Sequence, residues 1–536
     1  MESFDKDLQS IQQARNLARR GKLAANKIAN FTEEQIDKII QNMVKVASEH
    51  KVCLAEMAVE ETGFGKVCDK VVKNNLASTV LYKEIKNMKT IDVIDEDKEK
   101  KLISIAEPVG LVMGIVPSTN PTSTAIFKSI ISIKSRNAIV FSPHPSAVKC
   151  TAKAAKLMHD AAVAAGAPED IITCVELTSI GATNELMKSQ EVSLIIATGG
   201  PGMVKAAYSS GKPALGVGAG NSPAYIERTA DIKKAIKNII ASKTFDNGTI
   251  CASEQSIICE HCNEKEVIEE LKNSGGYFMT EEETDKVCKL LFKQGHAMNA
   301  AFVGRAAKVI AEAAGFYVPE GTKVLIGRQG GVGPKYPLSY EKLTTVLGFY
   351  VVNDWQQACE LSIELLQNGI GHTMSIHTED VEIVKKFAKK PASRILVNTG
   401  GSFGGTGAST GLMPSFTLGC GTWGGSSVSE NVTPMHLLNI KRVAYGLIDC
   451  DKIAKSECNM EHKTIENCKT EHCSNKEDYT SKKVEECLKS ILDLSPAEIQ
   501  RKATSNCEVK TEVNKYDSNN EEVLDLVSQI IAAMKK

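Results

Sequence analysis

The residues best suited to chemistry lie in Lys243-Thr-Phe-Asp-Asn-Gly-Thr-Ile-Cys-Ala-Ser-Glu254. A cysteine thiolate attacks carbonyl carbon and can carry an acyl group as a thioester. Asn247-Gly248 marks a turn, because both residues tolerate positive φ. Ser256-Ile-Ile-Cys259 is an apolar, β-branched run. Together they place Cys251 at the lip of a strand, where backbone N–H groups can face a developing oxyanion. The chain has sixteen cysteines, and most free cysteines are packed in cores. Cys251 is therefore set apart only by what surrounds it. A second stretch, Thr198-Gly-Gly-Pro-Gly202, is close to a dinucleotide-binding turn, but Lys205 stands where the third glycine of G-x-G-x-x-G would fall. Alone, it serves equally as a plain strand-to-helix turn. Cys259-Glu-His-Cys262 is a lone Cys-x-x-Cys with no second pair, and a strand end explains it better than zinc. No metal site is expected.

The elements that must position these residues alternate. Residues 5–90 read as helical, with Ile11, Ala14, Leu17 and Ala18 at helical spacing. A capping box, Thr32-Glu-Glu-Gln35, precedes the stripe Ile36, Ile39, Ile40, Val44. Ile91–Ile105 is charged and reads as two exposed strands projecting from the body. Val109–Val116 is a buried strand ended by the proline-rich turn at 117–121, and Ser123–Ser132 is a helix. The strand Ala138–Phe141 follows, then the Ala-rich helix 147–165, closed by Gly166 and Pro168. Strands at 171–175 and 193–197 continue the rhythm, which argues for a parallel sheet covered on both faces by helices. A second α/β region runs from Ala224 to about Val397 and ends on the strand Arg394–Asn398. The glycine-dense segment 400–425 is expected to be mostly ordered loop.

The totals exclude several classes. At 536 residues the chain can bury a large core in two or three domains. A net charge of −1 gives no bulk attraction for nucleic acid. No apolar run approaches the length of a membrane span, about 20 residues, and the N-terminus lacks the pattern of a secretory signal. The scattered cysteines read as reduced thiols of a cytosolic protein.

Six motifs occur in the order of one family. They are Pro117-Ser-Thr-Asn-Pro121, Ala197-Thr-Gly-Gly200, Gly218-Ala-Gly-Asn-Ser-Pro223, Asn247-Gly-Thr-Ile-Cys251, Glu341-Lys-Leu-Thr-Thr-Val-Leu347 and Leu418-Gly-Cys-Gly-Thr-Trp-Gly-Gly-Ser-Ser-Val-Ser-Glu-Asn431. Over about residues 8–446 the chain resembles the aldehyde dehydrogenase superfamily. Within it, the chain resembles the CoA-acylating branch, including the aldehyde dehydrogenase half of bifunctional aldehyde–alcohol dehydrogenases. No iron-dependent alcohol dehydrogenase half is expected in the remaining tail. The resemblance implies an α/β aldehyde dehydrogenase fold: a Rossmann-like cofactor domain over 1–223 with a projecting oligomerisation hairpin near 91–107, and an α/β catalytic domain over 224–398. A return segment and oligomerisation arm over 399–446 would make a homodimer or homotetramer. It implies that Cys251 is the nucleophile and Asn120 the oxyanion donor. Cofactor contacts fall to Pro117, Ser118, Thr119, Ser142, His144, Thr198, Gly199, Gly200, Val217, Gly218, Glu341 and Leu343, with Glu341 on the nicotinamide ribose. The resemblance also implies NAD as the cofactor, with NADP as the alternative, and coenzyme A as the co-substrate. Aligned through Ser222-Pro223, Val217 takes the place of the glutamate that activates water in hydrolytic members. Valine cannot deprotonate water, so the thioester should survive until a CoA thiolate arrives. The rival readings are a hydrolytic dehydrogenase, which Val217 disfavours, and a silent shell-associated scaffold, which the joint presence of Asn120, Cys251 and Glu341 disfavours. A short aliphatic aldehyde is the expected substrate.

After about Gly446, Lys and Glu dominate. Residues 447–520 read as a variable tail and linker, and 521–536 as an amphipathic helix with Val523, Leu524, Leu526, Val527, Ile530, Ile531 and Met534 on one side. Such a helix on a tether needs a partner. By resemblance to microcompartment-associated acylating dehydrogenases, that partner is a protein shell, which would place the enzyme in a cytoplasmic bacterial microcompartment. A shorter stripe at 484–492 is the alternative targeting segment. Neither a nucleic-acid nor a membrane partner is expected.

Overall fold

The computed structural model describes residues 5–293 and 297–453. The chain divides into two compact units at Tyr445/Gly446. The first begins with helices Lys6–Ile28, Glu33–Glu49, Lys51–Thr62 and Val67–Asn75, the last running through a wide π turn at Leu76–Val80 into Leu81–Ile85. Thr32 and Gln35 make the reciprocal capping box that starts the second helix, and Ile36, Ile39, Ile40, Met43 and Val44 bury its apolar face. Strands β1 (Asp92–Asp97) and β2 (Leu102–Pro108) form an antiparallel hairpin.

Five further strands follow: β3 (Leu111–Val116), β4 (Ala138–Pro143), β5 (Ile172–Cys174), β6 (Val192–Thr198) and β7 (Ala214–Val217). They form an all-parallel sheet in the order β5-β4-β3-β6-β7. Every residue of β3 and β4 is buried, as their continuous apolar sequences require of strands covered on both faces. Strand order reverses between β3 and β6, so the loops leaving their carboxyl ends open a crevice at the topological switch point. Those loops carry Pro117–Asn120 and Gly199–Gly200.

The second sheet comprises β8 (Ser222–Ile226), β9 (Glu254–Glu260), β10 (Gly276–Phe278), β11 (Val324–Arg328), β12 (Val346–Val352), β13 (Gly371–His377) and β14 (Ala392–Val397). Its order is β10-β11-β12-β9-β8-β13-β14, again all parallel. Finally β15 (Leu438–Ala444) returns to pair antiparallel with β2, completing a three-stranded sheet. The alternating α/β reading therefore holds. Two local expectations differ. The glycine-dense segment contains a helix, Gly401–Gly405, because Glu254 accepts the Gly401 N–H at 2.6 Å and Ser242 accepts that of Ser402 at 2.8 Å. Only glycine fits at 401, where a Cβ would lie 2.1 Å from the Ala252 carbonyl oxygen. Cys251 also precedes its strand by a full turn rather than standing at the lip, since β9 begins at Glu254.

No helix of the described residues is long and apolar enough to cross a membrane. Residues 454–536, including both tail stripes, lie outside the described residues.

Candidate active site

The loop before Cys251 is shaped by three successive left-handed residues, Asp246 (φ 49°), Asn247 (φ 52°) and Gly248 (φ 76°). They turn the chain out of the helix Ile232–Thr244 and back toward β9. Cys251 opens onto a cavity of about 300 Å³ at the crevice between the two parallel sheets. Pro117, Ser118, Thr119 and Asn120 line it from the loop after β3, and Thr198, Gly199 and Gly200 from the loop after β6. Val217 and Gly218 follow from the end of β7, Glu341 and Leu343 from the segment before β12, and His144 from the end of β4. Of the thirteen residues besides Cys251 singled out in the sequence, twelve border this cavity with it. Ser142 does not. It is buried within β4, where its hydroxyl pairs with Thr183 Oγ1 at 2.9 Å; strand alternation sends it to the face opposite its neighbours.

Cys251 has one partner, outside the cavity lining, with no local signal in the sequence. His372, fully buried at the start of β13, places Nε2 3.1 Å from Cys251 Sγ. Its Nδ1 meets Thr373 Oγ1 at 2.9 Å, and Arg394 donates to the His372 carbonyl at 3.0 Å and to Thr373 Oγ1 at 3.2 Å. With Nδ1 protonated toward Thr373, Nε2 is free to take the thiol proton. The backbones here are nearly in contact: a Cβ on Gly220 would lie 2.1 Å from the Cys251 carbonyl oxygen and 3.2 Å from the His372 ring. Burial pushes the Cys251 thiol up to about 12, with the Glu341 charge adding to it. Burial also drives the His372 imidazole well below its ordinary value, with Arg394 contributing. At neutral pH the pair is a neutral thiol beside a neutral base.

Glu341 is partly buried and lines the cavity, with Oε1 accepting the Gly220 N–H at 2.9 Å. Burial raises its carboxyl to about 7, against the opposing pull of that N–H and of Lys243 and Lys342. Asn120 stands at the N-terminal end of the helix Pro121–Lys134, where its side chain makes no capping hydrogen bond. Its Oδ1 takes a hydrogen bond from Lys73 Nζ at 2.6 Å. Lys73, Lys70 and Asp246 form a buried ion cluster that the sequence did not disclose. Beneath the crevice, Lys128 donates to the carbonyls of Ile115 (2.6 Å) and Ile196 (3.0 Å), tying the ends of β3 and β6 together. Cys259 is buried in β9 and Cys262 is exposed. Among the described residues no group of three or more His, Cys, Asp or Glu side chains could hold a metal.

A cysteine with an imidazole partner, an amide side chain and a carboxylate thus meet at a switch-point crevice. Residues 5–327 match the model of the aldehyde dehydrogenase family, and the chain belongs to that family. It is 49% identical over 442 residues to a bifunctional aldehyde–alcohol dehydrogenase of Escherichia coli, covering 81% of this chain and 50% of the relative. The chain thus spans about half the length of that relative. Among solved structures it is similar to an acetylating aldehyde dehydrogenase from Geobacillus thermoglucosidasius (TM-score 0.82, 51% identity, 83% of this chain and 99% of that one). It is also similar to a propionaldehyde dehydrogenase from the fucose utilisation microcompartment of Clostridium phytofermentans (TM-score 0.73, 28% identity, 81% and 97%).

Proposed function

We propose that this chain oxidises a short aliphatic aldehyde, with NAD and coenzyme A, to acyl-CoA and NADH. The observation that carries the reading is Cys251, paired with His372 Nε2, opening onto a cavity that Val217 also lines; Val217 stands in this reading where hydrolytic members carry a water-activating glutamate. Cys251 attacks the aldehyde carbon as His372 Nε2 takes the thiol proton. The new oxyanion is held by Asn120 Nδ2 and by backbone N–H near Cys251. NAD, when bound, supplies the acceptor for the hydride that leaves the same carbon. The thioester left on Cys251 is then attacked by the CoA sulfur, which loses its proton and expels the Cys251 thiolate.

The residues present fit such a cofactor. A Cβ on Gly200, Gly202 or Gly218 would meet no atom within 4 Å, so open space lies beside the backbone at the mouth of the crevice. The helix Pro201–Tyr208 begins there, a favourable end for phosphate. Glu341 would hold ribose hydroxyls, and Thr198, Gly199, Gly200 and His144 would border the remainder. Phe64, Ile250, Ala300, Val303 and Leu343 give the cavity an apolar wall suited to a short alkyl chain.

The β1-β2-β15 sheet leaves Val93, Ile440 and Val443 exposed, which supports self-association through the hairpin and arm. Residues 521–536 serve as a shell-targeting segment in this reading, and the microcompartment relative supports that setting.

The test is NADH formation from acetaldehyde and propionaldehyde with and without CoA. Wild type should turn over continuously only with CoA and yield acyl-CoA, and Cys251→Ala should bind NAD but form no NADH. Full-rate release of free acid without CoA, or normal turnover by Cys251→Ala, would overturn the reading.

A further inference from the structure

Lys73 is fully buried in the helix Val67–Asn75, and its three N–H donors have three acceptors. They are Asn120 Oδ1 at 2.6 Å, Thr249 Oγ1 at 3.0 Å and Asp246 Oδ2. An ammonium group only donates. The Asn120 atom facing it is therefore the carbonyl oxygen, and the amide nitrogen must point the other way. That nitrogen makes only longer contacts, 3.1 Å to Thr119 Oγ1 and 3.3 Å to the Thr249 carbonyl. Thr249 stands two residues before Cys251, so one ammonium spans the amide and the loop that carries the nucleophile.

The cluster behind it is closely built. Asp246 is held by the Lys66 N–H (2.8 Å), Lys70 Nζ (2.9 Å) and the Thr249 hydroxyl (2.8 Å), and its own N–H donates to Asp69 (2.8 Å). A Cβ on Gly65 would lie 1.8 Å from Asp246 Oδ1, so glycine is the one residue that lets this carboxylate sit there. Burial lowers the Lys73 ammonium to about 8, opposed by Asp246, while Lys70 and Lys73 hold the Asp246 carboxyl far below its ordinary range despite burial. A charge removed from water this completely is strongly disfavoured unless paired. A core of similar volume could be apolar without that cost.

We propose that Lys73 is a positioning residue for acyl-enzyme formation: it locks the Asn120 amide with nitrogen toward the oxyanion and fixes its separation from the Cys251 loop. Its positive charge on the carbonyl oxygen also polarises the amide, making the N–H a stronger donor as negative charge develops. This rests on the proposed oxidation at Cys251. Lys70 supplies an internal control, since it shares Asp246 but reaches the Thr119 carbonyl (3.0 Å) rather than Asn120.

The experiment is a double-mutant cycle of Lys73→Met and Asn120→Ala, read as the single-turnover rate of NADH formation with acetaldehyde. NAD affinity and iodoacetamide labelling of Cys251 are measured alongside. Lys73→Met should lower the rate by about 10²-fold, the scale of a lost oxyanion donor, and by less than about threefold when Asn120 is already alanine. NAD affinity should be retained, and Lys70→Met should leave the rate within about threefold. Equal losses from Lys73→Met in both backgrounds, or a loss from Lys70→Met as large as from Lys73→Met, would show a purely structural role and overturn the proposal. If Lys73→Met does not fold, Lys73→Gln, whose amide can still donate to Asp246, carries the same cycle. An inactive wild type would refute the oxidation itself, whereas an active wild type with additive variants refutes only the role of Lys73.

Discussion

Removing the imidazole of His372 tests the chemistry of the site most directly. Burial pushes the Cys251 thiol above its ordinary value, so the thiol form dominates at pH 7. A resting thiolate therefore cannot account for rapid attack, and the proton must leave as the C–S bond forms. His372 Nε2, 3.1 Å from Sγ, is placed to receive it, and a positioned general base contributes about 10²–10⁴ in rate. His372→Ala and His372→Gln should each lower the single-turnover rate of NADH formation by about that factor. The pH dependence should change with it. Burial keeps His372 neutral to well below its ordinary value, so wild type should show a nearly flat rate from about pH 7 to 9. The variants, dependent on the small thiolate fraction, should gain about tenfold per pH unit over that range. Stopped-flow NADH absorbance across this range, with NAD affinity as a folding control, measures both. A His372→Ala enzyme within about threefold of wild type and with the same pH profile would refute the pairing.

Other outcomes follow from the same cavity. Val217→Glu places a carboxylate on its wall and should raise CoA-independent release of free acid, measured by product analysis of the acyl-enzyme; no increase would mean that residue 217 does not face the thioester. Glu341 titrates near 7 because burial raises it, so it is anionic above that pH and neutral below it. NAD affinity should therefore weaken as pH falls through about 7, and calorimetry on Glu341→Gln should show weaker binding with that pH dependence removed. Deleting residues 521–536 should leave specific activity unchanged and abolish co-purification with shell proteins; loss of activity would mean the segment packs on its own enzyme.

Much of this site is legible in the sequence, because its parts sit in loops whose composition is unusual. Pro117–Pro121 and Thr198–Gly202 break regular structure where strands β3 and β6 end and the parallel sheet opens a crevice, and Asn247–Gly248 breaks it between the helix Ile232–Thr244 and β9. The buried strands are equally clear, since continuous apolar runs such as Leu111–Val116 have no other soluble use. What escapes is charge and pairing at long range. Lys70 and Lys73 lie on a short polar helix and look like solvated residues until Asp246, more than 170 residues away, is folded against them. His372 stands in Gly-His-Thr-Met-Ser-Ile-His, a run with no catalytic pattern of its own, and finds Cys251 only because β13 and β9 flank β8. Ser142 fails for a local reason, the alternation of faces within β4. The helix at Gly401–Gly405 fails for a tertiary one, since close backbone approach outweighs glycine's poor helix propensity.

The weakness of His372 as a base bears on the fate of the proposed thioester. Once NADH has formed, the nearest imidazole to the Cys251 sulfur is still His372, and both water and the CoA thiol must give up a proton to attack the acyl carbon. A thiol of ordinary acidity lies near 8.5 and water at 15.7, a gap of about seven units, or on the order of 10 kcal/mol in proton-transfer cost. A base held well below the usual histidine value by burial and by Arg394 can still assist the thiol, but it is poorly matched to water. Hydrolysis would then need a stronger, anionic base. Val217 removes it from the wall, and Glu341, held to the Gly220 N–H, is already engaged. On this argument selectivity for CoA over water has two separable sources, the missing carboxylate at 217 and the weak base at 372. Val217→Glu alone should therefore raise hydrolysis without abolishing transfer to CoA, and the ratio of free acid to acyl-CoA at saturating CoA measures the balance. Complete conversion to a hydrolase by that single substitution would show that the histidine contributes nothing to the choice.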